Sequence, residues 1–477
     1  MIMWTEWFGE GDKVKMILFQ GNKKEKGLIT TELDSTNLNK ALWVPMKIVQ
    51  VYLTLVFLLF IFGPWPWPLN NSLLVYFYLF LAQALLYLGY FLSVRRKKIT
   101  VYISQLRLVK IPTGYSIRFI RFLLILSFII FIPNYLVRTG LTTFSINELF
   151  NNFIGGLVNP SEQYIDRMNM TDTNSMSTLL VVITGITAPF RWLLIPLSII
   201  NWDKLKLFDR IGVIAFIALD VMSWIAIGTN KGIFDNIFII VFSLLIKTYM
   251  DSSKVKFRSK SNKGKIILIF LSVTMLIAAI AYMTKAIKSR FTTYNYYSPS
   301  ANIWVDFNSP IISITPDFLK DTLVVVSSYI TQGYYGLSLA LREGFSMSFG
   351  FGNSWFLLNV FERITGNMNL AENTYPFKII KYGWDPYINW QSFYTWIASD
   401  FSFIGTLILM ILIGYVFGEV WKSVLMQKNL YAVGLFSLFM IMFMYIPANN
   451  QVFAFTNTFF SFWGLFILWL FTSRIRV

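Results

Sequence analysis

The chain has 477 residues, 56% of them hydrophobic, and its 41 Lys and Arg outnumber 24 Asp and Glu to give a formal charge of +17. It contains neither Cys nor His, which excludes disulfides, thiolate nucleophiles, imidazole bases, Cys or His metal sites and the Ser-His-Asp arrangement. Any chemistry therefore falls to carboxylates, Lys, Arg, Tyr and hydroxyls.

In chain order, the N-terminal stretch lacks a compact apolar core followed by a small-residue cleavage site, so the first hydrophobic helix is expected to direct insertion. Ten apolar runs then approach the roughly 20 residues that a helix needs to cross a bilayer. They lie near 47–63, 71–92, 119–137, 177–200, 211–228, 233–249, 266–284, 399–418, 430–446 and 452–472. The expected fold is all-α, a polytopic membrane bundle of about ten (10 to 12) transmembrane helices with one large external loop containing short helices. Its expected parts are a cytoplasmic tail 1–46, seven helices within 47–284, the large loop 285–398, and three helices within 399–477.

With the N-terminus inside, 29 of the 41 Lys and Arg fall on cytoplasmic segments, as the positive-inside rule requires. Attraction to anionic lipid at the inner leaflet accounts for that excess, so nucleic acid is not expected as a partner. Two external segments are long, 138–176 and 285–398. The second holds "TLVVVSSYITQGYYGLSLAL" (322–341), read as a re-entrant or interfacial helix. The topological alternative is a paired crossing with "SMSFGFGNSWFLLNVF" (346–361).

Several charges are costly where they fall. Arg191 and Asp220 lie about ten residues from the cytoplasmic ends of antiparallel neighbours, hence at equal depth, about 15 Å in, and can pair. A buried pair is usually structural, although Arg191 could instead face lipid phosphate, with Pro189 opening the helix. Lys231, in "IGTNKGIFDNIF", sits in a short external turn where no lipid rule calls for a cation. Arg290, with Lys285 and Lys288 in "KAIKSRF", adds to the same rim. Such a cluster fits a compact polyanion such as a diphosphate, while snorkelling to headgroups explains any one of these cations singly.

Aromatic rings crowd the large loop, and Tyr296, Tyr297, Tyr334, Tyr335, Trp384 and Trp390 are the candidate sugar contacts. A flat ring covers a sugar's CH face while its OH or NH donates, and the same residues also serve as interfacial anchors. The external carboxylates Glu343, Glu362, Glu372, Asp385 and Asp400 are candidates for acid/base work. Asp400, in "WIASDFSFIG", is also placed to cap a helix entry. No P-loop and no dense acidic metal site is present, so neither metal nor cofactor is expected.

The sequence resembles the Wzy-type oligosaccharide repeat-unit polymerases of O-antigen and capsule assembly, within the wider group that includes O-antigen ligases. The likeness rests on "GTNKGIFDNIFIIVFSLLI", on "SYITQGYYGLSLAL...FGFGNSW", and on "FYTWIASDFSFIGTLILMILIGYVFG", with the large loop late in the chain. Lys231 stands where the family frequently has Arg, and Ser402 where it often has Gly. The resemblance implies a metal-independent, lipid-carrier-dependent glycosyltransferase in the bacterial inner membrane, with its active site facing the periplasm. Its implied partners are undecaprenyl-diphosphate-linked oligosaccharide, membrane lipids and a chain-length regulator protein. It also implies roles: Lys231, Arg290, Arg191 and Lys288 on the diphosphate, Arg290 acting in catalysis, and Asp400 or Asp385 assisting the acceptor hydroxyl in a chain without His. A flippase of lipid-linked oligosaccharide and an O-antigen ligase are the alternatives.

Overall fold

The computed structural model describes residues 14–18, 29–33, 35–95, 117–173, 178–252, 262–290, 296–366 and 369–474. Helices dominate them. In chain order they are α1 (Ser35–Phe62), α2 (Ser72–Arg95), α3 (Ile117–Thr139), α4 (Ile146–Val158), α5 (Pro160–Thr173), α6 (Thr178–Ile200) and α7 (Leu207–Ile225). There follow α8 (Lys231–Ser252), α9 (Asn262–Arg290), α10 (Asp317–Ala340), α11 (Trp355–Thr365), α12 (Phe393–Lys422), α13 (Leu430–Tyr445) and α14 (Thr456–Arg474). Two small antiparallel pairs accompany them, β1 (Val14–Leu18) with β2 (Ile29–Leu33), and β3 (Tyr297–Ser298) with β4 (Ile303–Trp304).

Six helices among the described residues are long and apolar enough to cross a membrane: Asn39–Phe62, Ser72–Arg95, Ile117–Thr139, Leu179–Ile200, Lys231–Met250 and Phe393–Gln427. Of the others, α13 is apolar but short. It is hydrophobic all round because it is central, and every residue from Ala432 to Phe443 is buried. Boundaries differ from the expected ones where caps decide them. Ser392 accepts a hydrogen bond from Thr395 N, which starts α12 at Phe393 rather than at 399. Asn429 does the same for α13 through Tyr431 N and Ala432 N.

Close helix contact follows from small residues. A Cβ on Gly89 of α2 would lie 1.9 Å from the Ile411 carbonyl oxygen of α12, and one on Gly414 would lie 2.1 Å from that of Leu86. Only glycine lets these two backbones meet, the device membrane helices use in place of a hydrophobic driving force.

The large loop folds onto one end of the bundle. Trp65 Nε1 and Trp67 Nε1, in the α1–α2 turn, donate to Val324 O at 3.0 Å and Thr331 Oγ1 at 3.1 Å. Asp306 N donates to Pro64 O at 2.8 Å, and Phe393 N to Ile446 O at 2.9 Å. The middle of α10 thus packs against the α1–α2 turn. In the alternative paired crossing the second segment contains α11, whose 11 residues rise about 16 Å, against the roughly 30 Å of a hydrocarbon core.

Candidate functional site

The α7–α8 turn holds Gly228 in the left-handed region at φ 63° and places Lys231 at the first position of α8. A cation is unfavourable beside the unpaired N–H groups of a helix start. Asp235, one turn on, offsets this: Lys231 Nζ donates to its Oδ2 at 2.6 Å. The ammonium also lies 4.7 Å from the centroid of Phe455 and 5.6 Å from that of Trp224. Gly232 makes the second contact possible, because a Cβ there would fall 1.9 Å from Trp224 Nε1.

One turn deeper, Asp220 receives two guanidinium groups. Arg191 of α6 forms the expected ion pair with its Oδ1. Arg138 of α3 reaches the same oxygen at 3.4 Å and also donates to Ser223 Oγ. Asn236 Nδ2 donates to Asp220 Oδ2 at 2.8 Å. Arg138 lies 3.8 Å from the Trp224 ring centroid, so one indole serves two cations. Arg138, Asp220 and Asp235 are each at most 9% exposed. Three cations (Arg138, Arg191, Lys231) thus share two carboxylates, leaving one positive charge in excess within a desolvated cluster. Asp235 Oδ1 and Trp224 Nε1 are buried there without a hydrogen-bond partner among the described residues. An anion would balance the excess charge and accept from Trp224 Nε1, whereas Asp235 Oδ1 calls for a donor.

Asp400 is arranged differently. It does not cap its own helix, since Ser392 does that and Asp400 stands eight residues from it. Its Oδ1 accepts from Ser348 Oγ at 2.7 Å, Gly350 N at 2.8 Å and Gly352 N at 3.2 Å. Its Oδ2 accepts from both Asn353 N and Asn353 Nδ2 at 2.7 Å. Two residues on, Ser402 has φ 61° and ψ 170°, a conformation that glycine adopts readily and serine at a cost. Its Oγ accepts from Gly405 N at 3.3 Å and restarts the helix beyond this break.

The other sequence candidates lie elsewhere. Lys288 pairs with Asp321 of α10, which also accepts from the Tyr296 hydroxyl. Hydrogen bonds from Lys288 and then Tyr296 hold the Asp321 carboxyl below its ordinary range, and the Asp321 bond pushes Tyr296 up to about 12. Asp385 Oδ1 accepts from Tyr387 N at 2.8 Å, a local turn contact. Arg290 ends α9, and its side chain lies outside the described residues.

The ring candidates divide. Tyr334 is fully buried, edge-on to Phe60. Tyr335 stacks on Trp67 at 5.2 Å and meets Trp384 edge-on at 4.9 Å. Trp384 is 1% exposed and donates Nε1 to Trp390 O at 3.3 Å. These three rings are packing residues of the loop's own core, because its docking on the α1–α2 turn covers their faces. Tyr296, Tyr297 and Trp390 remain partly open to solvent. Trp304, 64% exposed with its ring centroid 4.8 Å from that of Tyr297, joins them.

Sequence reasoning placed Arg191, Asp220 and Lys231 but missed Arg138, Trp224, Asp235 and Asn236 as their partners. The Lys231–Asp235 spacing of four was a readable signal. Arg138 was not, because it belongs to a helix distant in sequence. No family model, curated protein or solved structure matches the chain.

Proposed function

We propose that the chain polymerises undecaprenyl-diphosphate-linked oligosaccharide repeat units at the outer face of the bacterial inner membrane, as a Wzy-type polymerase of O-antigen or capsule synthesis. The observation that carries this reading is the buried Arg138–Arg191–Asp220–Lys231–Asp235 cluster with its excess positive charge. In this reading ten helices span the membrane, the six named above as long and apolar enough together with α7, α9, α13 and α14. The distribution of Lys and Arg then turns the loop end outward.

The reaction transfers the growing glycan from its lipid carrier to a new lipid-linked unit. The bond between the anomeric carbon and the diphosphate oxygen breaks, and one to the acceptor hydroxyl at the non-reducing end forms. The hydroxyl proton leaves to a base, and the electron pair leaves with the lipid diphosphate. Negative charge grows on that leaving group, and cations already held in a dry site stabilise it without reorganisation. Arg191 and Arg138 can grip phosphate oxygens through their forks, and Lys231 adds a point charge at the mouth. The partly open rings Tyr297, Trp304 and Trp390 are suited to sugar faces.

Purified protein supplied only with lipid-linked repeat units provides the test. A ladder of lengthened products is expected. Translocation of units without a new linkage would overturn this reading in favour of transport.

A further inference from the structure

We propose that Asp400 is a positioning residue, and that it sets the cage around Lys231 through the segment 348–353 and the α13–α14 turn. The consequence for glycan extension rests on the function proposed above, whereas the geometry does not.

The carboxylate accepts four N–H bonds from Gly350, Gly352 and Asn353, three of them from backbone, and Ser348 Oγ shares its one proton between Asp400 Oδ1 and Ser399 O, each 2.7 Å away. A carboxylate offers about four lone-pair positions, so no acceptor capacity is left for a substrate hydroxyl. The donors instead identify Asp400 as the anion around which this segment folds. Without it, the Gly350, Gly352 and Asn353 N–H groups would all lose this partner at once. Phe349, between these donors, is held at φ 53°, a strained conformation for a bulky residue that only over-determined surroundings sustain.

From this folded segment, contacts run to the cation cluster. Asn353 O accepts from Asn450 Nδ2, and Ser354 Oγ donates to Phe453 O. Asn450 O in turn accepts from Ala454 N at 3.0 Å. The next residue is Phe455, whose ring centroid lies 4.7 Å from Lys231 Nζ. A residue of α12 far from Lys231 in sequence therefore determines where one wall of its cage stands.

Hydrogen exchange on the full-length protein in detergent, with Asp400→Asn and Ser348→Ala, tests this without any substrate. A carboxamide turns an N–H₂ toward groups that are themselves donors. Asp400→Asn should therefore raise exchange of the 348–353 amides about tenfold or more and raise it also at 450–455. Ser348→Ala, which removes one donor and keeps the carboxylate, should give a smaller rise confined to 348–353. That variant keeps the test available if Asp400→Asn fails to fold. In extension assays Asp400→Asn should lower kcat and leave the acidic limb of the pH profile in place. Unchanged exchange at 348–353 with extension abolished would mean that Asp400 acts on substrate, overturning the proposal. Increased exchange there with 450–455 unchanged would overturn the link to Lys231. Absence of product from wild type would count against the function and leave the exchange results standing.

Discussion

Two buried ionic regions lie near the same end of this bundle and are built on opposite principles. Around Asp220 and Asp235, charge meets charge, and three cations share two carboxylates. Around Asp400 a single carboxylate meets only neutral donors, five of them. The first region retains charge that a ligand can complete. The second is saturated and holds backbone in place. A buried Asp therefore says little about chemistry until its partners are counted, and by that count the candidate ligand site is the region with an imbalance.

The largest effect that would break this contrast is at Asp220. Asp220→Asn leaves Arg138 and Arg191 without their shared carboxylate and should cost about 3–5 kcal/mol, seen as a large fall in the thermal midpoint in detergent. Arg191→Leu leaves Arg138 paired and should remain folded while losing chain extension. The Arg191→Leu/Asp220→Leu double still buries Arg138 alone, so it should stay destabilised until Arg138→Leu is added. A fully stable double would mean that Arg138 does not depend on Asp220.

Next in size is Lys231→Ala, expected to lower extension about 100-fold in a folded protein, with partial recovery in Lys231→Arg. Wild-type ladders from Lys231→Ala would remove the cation from the mechanism. A smaller effect is expected of Asp385→Asn, because the amide Oδ1 can still accept its one local turn contact. The fall in stability should be within about 1 kcal/mol, well below that for Asp400→Asn. Equal losses from the two would erase the difference between a saturated carboxylate and a local one.

The smallest effect concerns Lys288 and Asp321. The folded-state pKa of Asp321 is depressed, so its contribution is present above the unfolded value of about 4 and is lost as pH falls through the lower folded value. Both side chains are about a third or more exposed, and the pair should be worth less than about 1 kcal/mol. The thermal midpoints of wild type and Asp321→Asn should differ slightly from pH 8 to pH 5 and converge at more acidic pH. A difference that widened on acidification would reverse the sign of the coupling.

Hydrophobic runs and caps made much of the architecture legible. Runs near 20 residues mark helices because an unpaired backbone cannot exist in hydrocarbon, and equal offsets along antiparallel neighbours were enough to pair Arg191 with Asp220. The Lys231 turn stood out for the same reason, as a cation where neither lipid nor a helix start favours one. The sequence by itself thus determined the helical class, the Arg191–Asp220 pair and the unusual character of Lys231, all consequences of local periodicity and of the cost of charge in an apolar medium. Only the tertiary structure decided that Arg138 completes the cluster, that Asp400 is filled by a loop some fifty residues earlier, and that Tyr334, Tyr335 and Trp384 face inward. Those outcomes depend on which distant segments meet, and contacts across such separations leave no periodic trace in a single chain.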